Sequence, residues 1–120
     1  MAQHHILVVD DQKGVRQLLK LFLQEEGYVI TTASNGREAV EITQQEKPDL
    51  VIMDVKMPVM DGDEALANIR EINPNLPVIM MTAYTDAQKM KELFKLGAVE
   101  CFFKPIDLEH LLAKAGEILN

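Results

Sequence analysis

Cysteine and long apolar runs are both scarce in this sequence. A single cysteine, Cys101, occurs in 120 residues, so no disulfide can form within the chain. No apolar run approaches the roughly 20 residues needed to cross a bilayer. Asp10 and Asp11 also arrive before the apolar core of a signal peptide could form. We therefore expect a cytoplasmic protein.

Positive charge is scarce as well. The chain has 12 Lys and Arg residues against 19 Asp and Glu, a formal net charge of -7. This balance repels phosphate backbones and anionic lipids, so we expect no binding to nucleic acid or to a membrane surface. No cluster of Cys and His indicates zinc, and His4 and His5 are expected to be exposed terminal residues.

Five short, mostly apolar runs are present and predict β-strands. They cover residues 6–9, 28–33, 50–53, 77–82 and 101–103. Runs that are apolar without interruption indicate strands buried on both faces, the pattern of a parallel sheet covered by helices.

Apolar residues at helical spacing fill the segments between these runs and predict five helices. The inner face of the first helix, which begins near Gly14, is expected to consist of Val15, Leu18, Leu19, Phe22 and Leu23. Gly27 and Gly97 are predicted to end the first and fourth helices, and Asp86 and Asp107 to cap the fourth and fifth.

The alternation of strands and helices fixes the fold class. It requires parallel strands joined by right-handed crossovers, which gives an α/β fold with a five-stranded parallel sheet and helices on both faces. A chain of this length forms one domain, residues 1–120, and it contains no linker, repeat or low-complexity segment.

Reactive side chains stand where four of the strands end: Asp10 with Asp11, Asp54, Thr82 and Lys104. In a parallel sheet these ends meet at one edge, where ligands bind in such folds. Asp54 taken alone is equally consistent with a turn residue. Three carboxylates at one edge repel one another by roughly 4 kcal/mol per pair, at a separation of about 4 Å and an effective dielectric near 20.

Cations must compensate this repulsion. Lys104 supplies one positive charge, and a Mg²⁺ ion held by one or two carboxylates with waters is expected to supply the other. Such a pocket suits a phosphoryl group: metal and ammonium neutralise its oxygens, and Thr82 donates a hydrogen bond. The carboxylate of Asp54 is then the nucleophile.

The motifs around these residues resemble the receiver domain of two-component response regulators, across the whole chain. They are Val9-Asp10-Asp11, Asp54 with Met57-Pro58 and Met60-Asp61-Gly62, Met81-Thr82-Ala83, and Lys104-Pro105. The resemblance implies a flavodoxin-like (βα)5 fold, a monomer, and a protein that is not a turnover enzyme. It also implies that Asp54 accepts a phosphoryl group from a histidine kinase or a histidine phosphotransferase.

The same resemblance implies the roles of the other site residues. Asp10, Asp11, Asp54 and the backbone carbonyl of Lys56 would hold Mg²⁺, for which Mn²⁺ can substitute. Thr82 would take part in signalling, and Lys104 would contact the phosphate. The Lys104-Pro105 bond is expected to be cis.

The output of the signal is left open by the sequence. Within the family, the stretches 9–12 and 81–84 are most similar to single-domain regulators of the sporulation phosphorelay of bacilli. No output domain follows the fifth helix, so the signal is expected to leave through a surface. It passes either to a relay partner or, as in a chemotaxis-type switch, to a target that binds the phosphorylated face.

One position departs from the family pattern. Cys101 stands where the family usually has an aromatic residue or histidine that moves on activation, so this mechanism applies only if Phe102 or Phe103 substitutes. Both Phe residues are expected in the core. Cys101 is expected to act as a small buried apolar residue and not as a redox sensor.

Two rival functions fit these residues less well. A hydrolase of the haloacid-dehalogenase type needs a second acid two residues after the nucleophile, where Lys56 stands here. A pseudo-receiver should have lost part of the acid cluster, Thr82 or Lys104, and all are present.

The lifetime of the phosphorylated form is a further expectation. Lys56 and Tyr84 flank the approach of water and should obstruct it, which predicts a long-lived phosphorylated form. Alternatively, both side chains point into solvent and have no effect.

Overall fold

The structure, a computed structural model, describes residues 3–83 and 87–120. Five strands and five helices alternate along the chain: β1 His5–Val9, α1 Lys13–Glu25, β2 Val29–Ala33, α2 Gly36–Glu46, β3 Leu50–Asp54, α3 Gly62–Ile72, β4 Val78–Thr82, α4 Ala87–Lys95, β5 Glu100–Phe103 and α5 Leu108–Leu119. No helix in the described ranges is long and apolar enough to cross a bilayer.

The strands form one sheet in the order β2-β1-β3-β4-β5, and every neighbouring pair is parallel. This is the strand order of flavodoxin-like folds, which confirms the predicted class. The order reverses between β1 and β3, so the chain leaves these two neighbours in opposite directions. A crevice therefore opens above their carboxyl ends, where Asp10 and Asp54 lie.

Helices cover both faces of the sheet. On one face α1 and α5 pack with Leu19, Leu23, Leu111 and Ala115 against the even-numbered residues of β1. On the other face α2, α3 and α4 pack against Leu7 and Val9. Successive strand residues point to opposite faces and both faces are covered, so β3 and β4 have no polar side chain before their last residues, Asp54 and Thr82.

The predicted helix ends are confirmed where the structure describes them. Gly27 and Gly97 have φ of 96° and 108°, a conformation that suits glycine, just after α1 and α4. Asp107 caps α5 by accepting a hydrogen bond from the backbone N–H of His110 at 3.2 Å. The predicted cap at Asp86 lies outside the described residues.

Three placements differ from the sequence predictions. Leu18 is 54% exposed and not in the core, because Leu19 and Leu23 take the center of the buried face of α1 and leave Leu18 at its rim. Phe103 is 47% exposed, since β5 is an edge strand and Phe103 is its last residue, whereas Phe102 is buried as predicted. His5 is half-buried in β1, and its Nε2 lies 2.7 Å from Thr31 Oγ1.

Candidate functional site

Three carboxylates meet at the carboxyl edge of the sheet. Asp10 follows the last residue of β1, Asp11 comes next, and Asp54 is the last residue of β3. Asp10 is fully buried and Asp54 is 7% exposed, while Asp11 is open to solvent. One oxygen from each lies within 4.8 Å of the others, and no other group of this kind occurs among residues 3–83 and 87–120.

Lys104 places its ammonium group between the two buried carboxylates. Its Nζ lies 2.8 Å from Asp10 Oδ2 and 3.2 Å from Asp54 Oδ2. The backbone N–H of Lys104 donates to the carbonyl of Thr82 at 2.8 Å, which joins the ends of β4 and β5. The Lys104-Pro105 bond is cis, as expected.

Backbone groups orient the same two carboxylates. Asp10 Oδ1 accepts a hydrogen bond from the N–H of Gln12 at 2.9 Å, and Asp54 Oδ1 accepts one from the N–H of Val55 at 2.9 Å. Arg16 donates from Nη1 to the backbone carbonyl of Asp10 at 2.7 Å, which ties α1 to the end of β1. Each carboxylate therefore has one oxygen held by the backbone and one turned toward Lys104.

The surroundings of Asp54 act on its carboxyl in opposite directions, and their net effect is to raise its pKa. Burial raises the pKa of the Asp54 carboxyl and the charge of Asp10 adds to this, while the ammonium of Lys104 opposes both. Burial alone would lower the pKa of Lys104, but its hydrogen bonds and the charges of Asp10 and Asp54 outweigh burial and raise it. Lys104 is therefore a permanent cation at neutral pH.

The donor set fits Mg²⁺. All three side chains offer carboxylate oxygens, the hard ligands that Mg²⁺ takes, and the described residues bring no sulfur or imidazole ligand into the group. Two oxygens that both contact a Mg²⁺ ion at about 2.1 Å can be at most about 4.2 Å apart. The three carboxylate oxygens lie within 4.8 Å of one another, which is slightly wider. A small side-chain movement, or a water between one carboxylate and the ion, would complete the coordination.

A cleft of about 460 Å³ lies over this cluster. It is lined by Asp11, Gln12, Asp54, Lys56, Met57, Pro58, Asp61 and Lys104. Gly62 shapes the loop that forms one wall: its N–H donates to the carbonyl of Val55 at 2.6 Å, and a Cβ there would collide with the carbonyl oxygen of Asp54. Only glycine permits this approach of α3 to the end of β3.

An apolar groove adjoins the cleft. It is lined by Gln12, Val15, Leu18, Leu19, Lys104, Pro105, Ile106 and Leu108. Gln12 and Lys104 line both hollows, so a partner seated in the groove by α1 would reach the acid cluster. The exposed Leu18 is part of this surface.

The structure brings together four of the residues that the sequence predicts for this site and places two more at the same edge of the sheet. Asp10, Asp11, Asp54 and Lys104 form the cluster, and Lys56 lines the cleft with its side chain exposed. Thr82 is buried at the end of β4, the strand next to β3. Tyr84, predicted to shield the phosphorylated form, lies outside the described residues.

Cys101 behaves as an inert buried thiol. It is 8% exposed, and burial together with the charge of Glu100 raises its pKa to about 11. The thiolate is the reactive form, so this environment disfavours redox sensing, in agreement with the sequence analysis.

Sequence reasoning missed part of what Arg16 and Asp61 do. The sequence predicts no role for Arg16 at the site, but its side chain donates a hydrogen bond to the carbonyl of Asp10. Asp61 accepts a hydrogen bond from the N–H of Met57 at 3.0 Å. Both residues stand at helix starts, where their types are ordinary, so no pattern in the sequence indicates these bonds.

Relatives of known kind match this chain over nearly all of its length. A family model described as the response regulator receiver domain matches residues 6–116. Sporulation initiation phosphotransferase F of Bacillus subtilis (strain 168) is 43% identical over 111 residues, which cover 92% of this chain and 90% of that protein. The regulatory protein AtoC of Escherichia coli (strain K12) is 39% identical over 110 residues, but the match spans only 24% of its length.

Solved structures agree with the sequence matches. Chemotaxis protein CheY4 of Vibrio cholerae superposes with a TM-score of 0.92 at 36% identity, covering 98% of this chain and 100% of that one. A chain in the CheX-CheY-BeF3-Mg²⁺ complex of Borrelia burgdorferi superposes with a TM-score of 0.92 at 32% identity, covering 98% and 90%. The likeness therefore extends over the whole sheet and the helices on both faces.

Proposed function

This chain belongs to the family of response regulator receiver domains, and from that premise we propose that Asp54 is the residue that accepts the phosphoryl group. The chain is a receiver domain of the two-component kind, and this family binds Mg²⁺ at an acidic pocket and interacts with histidine kinases or phosphotransferases. We infer that residues 1–120 form one such domain and that it is not a turnover enzyme.

The observation that carries the proposal is the position of the Asp54 carboxylate. One oxygen is held by the N–H of Val55, the other faces the ammonium of Lys104, and Asp54 lines the open cleft. The second oxygen is thus the one available to attack phosphorus. The carboxylates of Asp10 and Asp11 are a poorer choice, since the first is fully buried and the second has no contact with Lys104 among the described residues.

The remaining residues act on charge and orientation. Lys104 neutralises an oxygen of the transferred group, and the hydroxyl of Thr82 donates a hydrogen bond to another. Asp10, Asp11, Asp54 and the backbone carbonyl of Lys56 hold Mg²⁺, and Mn²⁺ can take its place because it accepts the same oxygen ligands. The bound ion supplies positive charge opposite the developing negative charge of the phosphoryl oxygens.

The donor is a phosphohistidine on a histidine kinase or a histidine phosphotransferase. The apolar groove beside the cleft supports this partner, because it opens next to the acid cluster and includes the exposed side chain of Leu18. A protein surface that buries Leu18 would bring its phosphohistidine to the cleft edge at Gln12 and Lys104.

Sporulation initiation phosphotransferase F is by its name a phosphotransferase, whereas CheY4 is named a chemotaxis protein. We propose a phosphorelay carrier for this chain, with a target-binding switch as the alternative.

A relay carrier needs a phosphorylated form that persists, and Lys56 and Tyr84 offer no carboxylate to orient an attacking water. The variant Lys56→Asn with Tyr84→Glu should lose phosphate about tenfold faster, a barrier change of about 1.4 kcal/mol. A lifetime equal to that of the parent would remove this support for a relay.

Incubation with acetyl phosphate and Mg²⁺, followed by intact-mass measurement, tests the proposed function. We expect a stable adduct of one phosphoryl group per chain. Rapid continuous release of phosphate would instead indicate a hydrolase, and no adduct in the presence of Mg²⁺ would indicate a pseudo-receiver. Asp54→Asn is the control, because the amide keeps the shape of the side chain and is no nucleophile.

A further inference from the structure

Asp61 uses its carboxylate in an unexpected direction. It occupies the N-cap position of α3, where an aspartate usually accepts a hydrogen bond from a backbone N–H in the first turn of the helix. Here the side chain makes no such bond. Instead, Oδ1 accepts the N–H of Met57 at 3.0 Å, four residues back along the loop.

That hydrogen bond fixes a peptide unit next to the acid cluster. The N–H of Met57 and the carbonyl of Lys56 belong to the same planar trans peptide, in which the two groups point in opposite directions. The preceding peptide is fixed too, because the carbonyl of Val55 accepts the N–H of Gly62. Both peptides that flank Lys56 are therefore held by adjacent residues at the start of α3.

The loop needs such restraint. Val59 has φ of 68°, which is unusual for a β-branched residue, and the N–H of Met60 closes a tight turn on the carbonyl of Pro58 at 2.7 Å. A backbone in this conformation persists only where surrounding contacts hold it. The carboxylate of Asp61 is one of those contacts, and the N–H of Gly36, which donates to the carbonyl of Met60 at 3.0 Å, is another.

We propose that Asp61 is a positioning residue, which sets the direction of the Lys56 carbonyl by holding the Lys56–Met57 peptide. This rests on the proposed function, in which that carbonyl is a ligand of Mg²⁺. Asp61 acts as a hydrogen-bond acceptor and not chiefly as a negative charge, although it lines the same cleft as Asp11 and Asp54.

Magnesium titration of the unphosphorylated full chain, by calorimetry at physiological salt, tests this role. Asp61→Ala removes the acceptor and should weaken Mg²⁺ binding about tenfold, the lower end for loss of a group that orients a metal ligand. Asp61→Asn keeps an acceptor oxygen and should stay within about threefold of the parent. Glu64→Ala is the matched control, because it removes the same charge from an exposed position on α3 and should also stay within about threefold.

Amide hydrogen exchange at Met57 gives a second readout. Exchange should be slow in the parent and in Asp61→Asn, and clearly faster in Asp61→Ala, at unchanged exchange of the β3 amides. Equal Mg²⁺ affinity in Asp61→Ala and the parent would overturn the proposal, as would an Asn variant as weak as the Ala variant. Failure of the proposed function would appear elsewhere, as a parent protein that binds Mg²⁺ but is not labelled at Asp54.

Discussion

Replacing Lys104 by Met removes the ammonium group between two buried carboxylates and keeps most of the apolar stem. Lys104 Nζ lies 2.8 Å from Asp10 Oδ2 and 3.2 Å from Asp54 Oδ2. At an effective dielectric of about 20, these two attractions amount to roughly 6 and 5 kcal/mol before desolvation is subtracted. Asp10 is fully buried, so water cannot replace the lost partner.

The net effect is smaller than the sum of the attractions. Loss of one partner of a buried ion pair costs about 3–5 kcal/mol, and the Lys104 side chain keeps 22% exposure, which favours the lower end. We therefore expect Lys104→Met to lower the free energy of unfolding by about 3 kcal/mol without metal. For a chain of this size, that corresponds to a decrease in melting temperature of roughly 12 °C.

Urea unfolding in the presence of a chelator measures this loss. Lys56→Met is the control, because it makes the same chemical change at an exposed lysine of the same cleft and should cost less than about 0.5 kcal/mol. Mg²⁺ should then reduce the difference in free energy of unfolding between Lys104→Met and the parent. The reduction should be about 1.4 kcal/mol for each tenfold by which the variant binds Mg²⁺ more tightly than the parent. A metal-free loss below about 1 kcal/mol, or a deficit that Mg²⁺ leaves unchanged, would refute the reasoning.

Three further predictions concern single residues of the site. Burial raises the folded-state pKa of Asp54 above its ordinary value of 3.8, so ionised Asp54 destabilises the metal-free protein above that pH. Asp54→Asn should therefore stabilise the metal-free protein at neutral pH. Chemical unfolding should show this advantage disappearing as the pH falls below about 3.8, where Asp54 is protonated in both the folded and the unfolded state. Asp11→Ala should weaken Mg²⁺ binding about tenfold in calorimetry while changing stability by less than about 0.5 kcal/mol, because Asp11 is exposed; an unchanged affinity would contradict its role. Gly62→Ala should lower the free energy of unfolding by about 2–3 kcal/mol in urea titrations, because its Cβ would collide with the carbonyl of Asp54, and a loss below about 0.5 kcal/mol would show that the loop yields freely.

The parts of the fold that local patterns determine were predictable from the sequence. Uninterrupted apolar runs identified β1, β3 and β4, and the acids that end β1 and β3 met at one edge because the strands are parallel. The positions of Leu18 and Phe103 were not predictable, since they depend on where a helix face ends and which strand lies at the sheet edge. Those features arise from tertiary packing, which spacing along the chain does not record.

The site shows the same division. Residue types at strand ends predicted the grouping of Asp10, Asp54 and Lys104. The hydrogen bond from Met57 to Asp61 could not be predicted, because an aspartate before a helix is favoured as a cap whether or not it turns back to the loop. The orientation of the Asp54 carboxylate could not be predicted either. It depends on a hydrogen bond from the backbone N–H of Val55, a group that is present whatever the residue type.

The most direct test of the central claim is to identify the residue that carries the phosphoryl group. The protein is phosphorylated with acetyl phosphate and Mg²⁺ and treated with borohydride, which reduces an aspartyl phosphate to homoserine, and its peptides are then mapped by mass spectrometry. We predict homoserine at position 54 of the parent protein and none in Asp54→Asn. Homoserine at Asp10 or Asp11 instead, or an unchanged Asp54 in a protein that has taken up phosphate, would contradict the assignment of Asp54 as the acceptor.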